Sequence, residues 1–159
     1  MKRTTLCYIE NNGKWLMLYR NRKPEDPNEG KWLGIGGKIE PGETPDECNV
    51  REVYEETGLR LRSAHFCGVI HFRADMYEDE DMYLYYSDDF EPAAGGLSGG
   101  GEPVLPDCDE GELRWIDEAG IMDLPMWEGD RVFLGRLLAG EREISMTLSY
   151  TGEKCTVIE

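Results

Sequence analysis

Three glutamates, Glu52, Glu55 and Glu56, stand at i, i+3 and i+4, so a helix there carries three carboxylates on one face. Like charges at that spacing cost about 0.2–0.5 kcal/mol per pair. They also fall in the last turns, where the helix dipole favours cations. A cluster set against local preference points to function, and hard carboxylate oxygens converging on one face suit Mg²⁺, with Mn²⁺ as the alternative. A solvated acidic face is the plain alternative, because surface glutamate is common.

The neighbouring residues define how that helix is held. Thr44 is a good N-cap, Pro45 fits the first helical position, and Glu47 completes a T-x-x-E capping box. Gly58 is a natural left-handed stop, so the spacing predicts a helix over residues 45–57. Val50, Val53, Tyr54 and Thr57 form its less polar face, expected to pack inward. Ahead of the helix, Gly34-Ile35-Gly36-Gly37-Lys38 and then Gly42 let backbone N–H groups approach phosphate oxygens closely. Glu43 and Arg51, opposite in charge, are placed to clamp this loop to the helix.

Gly37, Glu43, Arg51, Glu52, Val53, Glu55, Glu56, Gly58 and Leu59 fall at every fixed position of the pattern G-x5-E-x7-R-E-U-x-E-E-x-G-U, where U is apolar. Residues 37–59 therefore resemble the Nudix box. The resemblance implies one Nudix hydrolase domain over residues 1–159, an α/β fold in which an α/β/α sandwich surrounds a mixed sheet. It implies cleavage of a nucleoside diphosphate linked to a further group, by water attacking phosphorus with the support of divalent metal. By the same resemblance Glu52, Glu55 and Glu56 are metal ligands, and Glu56 or an acid outside the box activates the water. Glu43 and Arg51 hold the loop–helix geometry. Gly36, Gly37 and Lys38 contact metal or phosphate. Lys23 is a candidate phosphate or base contact, or else a plain surface lysine.

The likeness continues along the chain. Residues 30–38 (GKWLGIGGK), Asp109-Glu110 followed by Trp115, and residues 124–130 (LPMWEGD) resemble the MutT-like oxidised purine nucleoside triphosphatases. The match is closest to bacterial 8-oxo-dGTP diphosphatases of Gram-positive type. That implies attack at the β-phosphorus, release of a monophosphate and pyrophosphate, and a role in nucleotide-pool sanitation and DNA repair. An acid at Glu110 then serves the metal site. Trp127 offers a flat face to a purine, or is a core or rim tryptophan. Asp130 reads the base edge, or caps a helix. Phe72 lines the same pocket, or belongs to the core. Two departures stand out. Animal members carry asparagine where this chain has Leu33, and two adjacent acids where it has Gly129-Asp130, so the base edge must be read differently here. Other nucleoside triphosphates or dinucleoside polyphosphates are the alternative substrates, the latter drawing on Tyr77. A catalytically silent nucleotide-binding module is disfavoured because all three box acids are present.

Composition narrows the partners. The chain has 159 residues, 40% hydrophobic and 31% charged, with a formal net charge of −16. Such a surface repels duplex nucleic acid and acidic membranes, whereas a small nucleotide carrying a cation is compatible. No apolar run approaches the roughly 20 residues that span a bilayer, and the N-terminal residues are too polar for a signal peptide. Five scattered cysteines without a CxxC pair read as reduced thiols in a cytoplasmic protein with no zinc site. His65 and His71 read as packing or surface residues. Monomer and homodimer are both compatible.

Around the box, strands are expected at residues 4–10 and 14–20 as an opening hairpin, and at 64–72, 82–87 and 112–116. Asp117 is expected to cap a helical turn reaching about Met122, followed by a helix over 128–139 stopped at Gly140. Residues 144–150 and 154–158 form a closing hairpin. Residues 22–30 and 73–81 read as loops, and Trp32 as packing the glycine loop from below. Residues 92–107, containing AAGGLSGGG, read as a flexible surface loop without a phosphate-binding role, placed where a lid would be.

Overall fold

The helix that carries the glutamates forms as its caps dictate. In the computed structural model, which describes residues 1–93, 95–97 and 101–158, α1 spans Pro45–Thr57. The Thr44 hydroxyl accepts from the Glu47 N–H at 3.1 Å, and the Glu47 carboxylate accepts from the Thr44 N–H at 2.9 Å. Gly58 turns left-handed at φ 75° and its N–H reaches the Tyr54 carbonyl. The inward face differs from the expected one. Cys48, Asn49, Val53 and Thr57 are buried, whereas Val50 and Tyr54 are 47% and 45% exposed. The cause is the seat of the helix on β1, where Cys48 Sγ lies 3.4 Å from the Thr5 hydroxyl. This rotation leaves Tyr54 to the Arg60 guanidinium, 4.3 Å over its ring, and brings Glu52 and Glu56 alongside the buried stripe.

The strands are β1 (Lys2–Asn11), β2 (Lys14–Arg20), β3 (Trp32–Leu33), β4 (Arg60–Ala74), β5 (Glu80–Glu91), β6 (Gly111–Asp117), β7 (Met146–Thr151) and β8 (Lys154–Ile158). Their order is β3-β2-β1-β5-β4-β7-β8, with β6 also paired to β2. The β1–β5 and β4–β7 pairs are parallel and the others antiparallel, so the sheet is mixed. A short 3₁₀ helix (Glu118–Asp123) and α2 (Glu128–Leu138) follow β6. Asp117 sits at the N-cap of the 3₁₀ helix without a side-chain capping bond.

The opening strands are a hairpin only at its tip. β1 meets β2 at Glu10↔Trp15 and Asn11↔Lys14 and then runs against β5 from Lys2↔Glu80 to Ile9↔Ser87. The glycine loop fills the gap that opens, bridging β1 at Cys7↔Ile35 and Thr4↔Lys38. A side chain on Gly36 would not fit there, since its Cβ would lie 1.8 Å from the Thr5 carbonyl oxygen. Thus the divergence of β1 from β2 seats the loop.

Period-two alternation divides β1 between two apolar layers. Cys7 and Ile9 pack with Val53 and Leu59 under α1, while Leu6 and Tyr8 pack with Phe133, Leu134 and Leu137 of α2. Trp32 packs at a tilt against Tyr19, with ring centroids 5.0 Å apart. All five cysteines are free thiols. His71 pairs with Asp81 at 2.7 Å, and His65 bonds the Arg142 carbonyl at 3.1 Å. Of the glycine-rich stretch, Leu97 bridges Pro103 and the Pro103 carbonyl accepts from Trp115 Nε1 at 3.0 Å, which ties its described part to β6; residues 94 and 98–100 lie outside the described residues. Among the described residues no helix is long and apolar enough to cross a membrane.

Candidate active site

The clamp between loop and helix is closed. Arg51 Nε donates to Glu43 Oε2 at 2.6 Å and its Nη2 donates to Glu43 Oε1 at 2.9 Å, a bidentate pair. Nη2 also reaches the Lys38 carbonyl at 3.2 Å. The Arg51 hydrogen bonds, aided by the Glu40 N–H, hold the Glu43 carboxyl down at about 2, and the Arg51 guanidinium is correspondingly raised. Gly37 lies against Glu52, where a Cβ would stand 2.4 Å from the carboxyl carbon.

The carboxylates separate into two groups. Glu56 is half-buried, and desolvation followed by the neighbouring Glu110 carboxyl pushes it well above the usual carboxylate range. Its Oε2 is buried with no hydrogen-bond partner among the described residues. Burial also pushes Glu110 up, but the bonds from Glu56 and Lys23 and the charge of Arg20 leave it below its ordinary value. Glu52 is raised mainly by burial. Arg51 Nη1 binds Glu52 at 2.9 Å and Glu55 at 3.1 Å, and Glu55 is 56% exposed at the rim.

Among the described residues no three acidic, histidine or cysteine side chains form a ready-made metal cage. Of the expected set, Glu52, Glu56 and Glu110 lie close enough to feel one another's charge, and Glu55 stands at the rim. A guanidinium spans Glu52 and Glu55, and Gly36 is seated on Thr5. The residues nonetheless fit a hard divalent cation. A buried Glu56 oxygen lacks a partner among the described residues, the Glu110 carboxyl stands near it, and Glu52 lies beside a glycine backbone.

Beside this cluster opens a cleft of about 560 Å³. Gly37, touching Glu52, and Arg20, 3.4 Å from Glu110, both line it. Gly36, Lys38, Phe72, Trp127 and Asp130 line it as well. Its floor is the α2 side of the sheet, where registers Lys2↔Glu80 and Glu80↔Phe72 set three side chains in a row. Phe72 serves both readings, lining the cleft and stacking 6.5 Å from Tyr150 against the core. Lys23 is the exception, since it does not line the cleft and instead pairs with Glu110 at 3.0 Å. The loop before β3 turns it toward the carboxylates and away from the base end.

Trp127 stands at the N-cap of α2, held on several sides. Its Nε1 donates to Asn28 Oδ1 at 2.8 Å, Lys31 Nζ sits 4.3 Å from the ring centroid, and Tyr150 and Tyr77 meet it edge-on at 5.5 and 6.5 Å. Asp130 is 4% exposed and has no hydrogen-bond partner among the described residues, so it is not a cap. Burial, followed by the charge of Glu80, pushes it up to about 7, against the pull of Lys31. Gly129 donates its N–H to the Tyr150 hydroxyl at 2.9 Å, and a Cβ there would lie 2.6 Å from Leu148 Cδ1. Asn28, Glu80 and Tyr150 escaped the sequence reading. A lone Asn in a polar loop, one acid among several and one residue of a strand alternation carry no signal of their own.

An anhydride-cleaving hydrolase with a nucleotide-sized cleft is the class that this fold and site define. Residues 1–137 match the NUDIX domain model, and the chain belongs to that family, as a Nudix pyrophosphohydrolase. It is 30% identical over 153 residues to the uncharacterised Nudix hydrolase YvcI of Bacillus subtilis, covering 96% of this chain and 89% of the relative. It is 30% identical over 142 residues to the oxidized purine nucleoside triphosphate hydrolase of Danio rerio, covering 89% and 82%. The crystal structure of a MutT protein from Bacillus halodurans superposes with a TM-score of 0.79 at 25% identity, covering 99% of this chain and 97% of that one. The family generally uses divalent metal.

Proposed function

We propose that this protein is a Mg²⁺-dependent nucleoside triphosphate pyrophosphohydrolase acting on oxidised purine nucleotides such as 8-oxo-dGTP, in the cytoplasm and as part of nucleotide-pool sanitation. The observation that carries the reading is one cleft with different ends. Gly37 and Arg20 tie one end to the half-buried carboxylates, and Trp127 with the unpartnered Asp130 forms the other. The likeness to the oxidized purine nucleoside triphosphate hydrolase of Danio rerio supports the substrate class.

In this reading Glu52, Glu56 and Glu110 hold the cation, with Glu55 at the rim. When bound, the cation neutralises phosphate charge and polarises the phosphoryl group. Glu56 takes the proton of the attacking water through its buried oxygen, which has no partner among the described residues. Glu43 and Arg51 fix the loop–helix angle on which the carboxylates depend. Gly36, Gly37 and Lys38 face the phosphates. Trp127 stacks on the base, and Asp130 reads its edge.

The test is product identity. With 8-oxo-dGTP and Mg²⁺, the expected products are the nucleoside monophosphate and pyrophosphate, and chelation of divalent metal stops turnover. A diphosphate with orthophosphate, or turnover that survives exhaustive chelation, would refute the proposal.

A further inference from the structure

The base end of the cleft poses a problem in acid chemistry. Asp130 is buried, unpartnered and faces the cleft. A side chain at Gly129, beside it on α2, would crowd Leu148 Cδ1 and the Tyr150 hydroxyl. Another carboxylate reaches the cleft from the sheet floor. Glu80, the first residue of β5, lies between Lys2 on β1 and Phe72 on β4 in register. Its Oε2 accepts from the Thr4 hydroxyl at 2.5 Å, and its Oε1 stands 3.5 Å from Lys2 Nζ. These two contacts fix the group and use two of its roughly four acceptor positions, so acceptor capacity remains. Its charge is felt at Asp130, the electrostatic mark of two carboxyls facing one space.

We propose that Glu80 is a specificity-determining residue which, with Asp130, forms a two-acceptor reader selecting purine nucleotides whose base edge carries two adjacent N–H donors, the guanine class. The inference rests on the nucleoside triphosphate reading above. Guanine and 8-oxoguanine present N1–H beside the 2-amino group. Hypoxanthine lacks the amino group, and adenine presents its single amino donor beside a ring acceptor. A buried acceptor left without a donor costs far more than a missing methylene, so an analogue lacking one donor is strongly rejected. The second acid therefore comes from β5, in place of a neighbour on α2.

The test compares dGTP, dITP and dATP by kcat/KM with Mg²⁺, in the wild type, Glu80→Gln and Thr4→Val. The wild type is expected to favour dGTP over dITP by tenfold or more. Glu80→Gln should reduce that ratio at least fivefold, chiefly through KM for dGTP. Thr4→Val, which frees the carboxylate from its anchor, should reduce it less but in the same direction. A wild-type ratio near one overturns the inference without any variant, even where Glu80→Gln does not fold. So does an equal loss on all three nucleotides in Glu80→Gln, which marks a structural role. Failure of the wild type to hydrolyse any nucleoside triphosphate would instead overturn the function on which this inference rests.

Discussion

Replacing Asp130 by asparagine should make the protein's stability less sensitive to pH between about 4 and 7. The native carboxyl keeps its proton up to about pH 7, whereas its ordinary value is 3.8. Between those values the native state binds more protons than the unfolded chain, so wild-type stability falls as pH rises through the window and levels off above it. At about 1.36 kcal/mol per pKa unit, the full penalty for ionising this buried group is on the order of 4 kcal/mol. Asparagine has nearly the same shape and no such penalty. Its own burial cost is constant with pH and cancels when the difference between the two proteins is followed. Urea unfolding at pH 5 and pH 8 should show the variant gaining on the wild type by about 2–3 kcal/mol over that interval. A gap that stays within about 0.5 kcal/mol would show that Asp130 is well hydrated or paired in solution, against the reading of a buried, unpartnered carboxyl.

The site and its seat make further predictions. Glu56→Gln should lower kcat by about 10²–10⁴-fold with an unchanged circular dichroism spectrum, and full activity in the folded variant would remove Glu56 from catalysis. Trp127→Ala should raise KM for purine nucleotides by about 5–150-fold, matching about 1–3 kcal/mol of stacking, while leaving the KM for inorganic tripolyphosphate nearly unchanged; equal effects on both would make Trp127 structural. Gly36→Ala and Gly37→Ala should differ in kind. The first drives a Cβ into the Thr5 backbone and should cost about 3 kcal/mol in chemical denaturation, whereas the second meets the mobile end of Glu52 and should spare stability more than activity. Similar melting temperatures for the two alanine variants would contradict this distinction.

The parts of the molecule that were legible before the fold are those fixed by neighbours in sequence. The caps of α1, the Glu43–Arg51 clamp and the closing hairpin depend on residues a few positions apart or on a single recognised pattern. The parts that were not legible depend on what packs from far away. Val50 and Tyr54 are as apolar as Val53, and only the seat of α1 on Thr5 decides which of them turn outward. The hairpin turn at Asn11-Asn12-Gly13 is real, but β5, some 70 residues on, captures β1 beyond the tip. Glu80 is one of several acids near the start of β5, and only the three-strand register points it into the cleft. In the sequence Gly129 stands where a second acid is expected, and only the fold shows that a side chain there would crowd Leu148 and Tyr150.

The central claim is that the carboxylate cluster and the Trp127–Asp130 end of the cleft together hydrolyse an oxidised purine triphosphate. The most direct measurement is kcat/KM with Mg²⁺ for 8-oxo-dGTP, dGTP, dATP, a dinucleoside tetraphosphate and ADP-ribose, in one buffer and with one protein preparation. The account predicts that 8-oxo-dGTP leads dGTP by tenfold or more, about 1.4 kcal/mol of discrimination in the transition state. Level rates, or a lead for the dinucleoside tetraphosphate or ADP-ribose, would contradict it. The Nudix chemistry would stand, and the reading of Trp127 and Asp130 as an oxidised-purine pocket would fall.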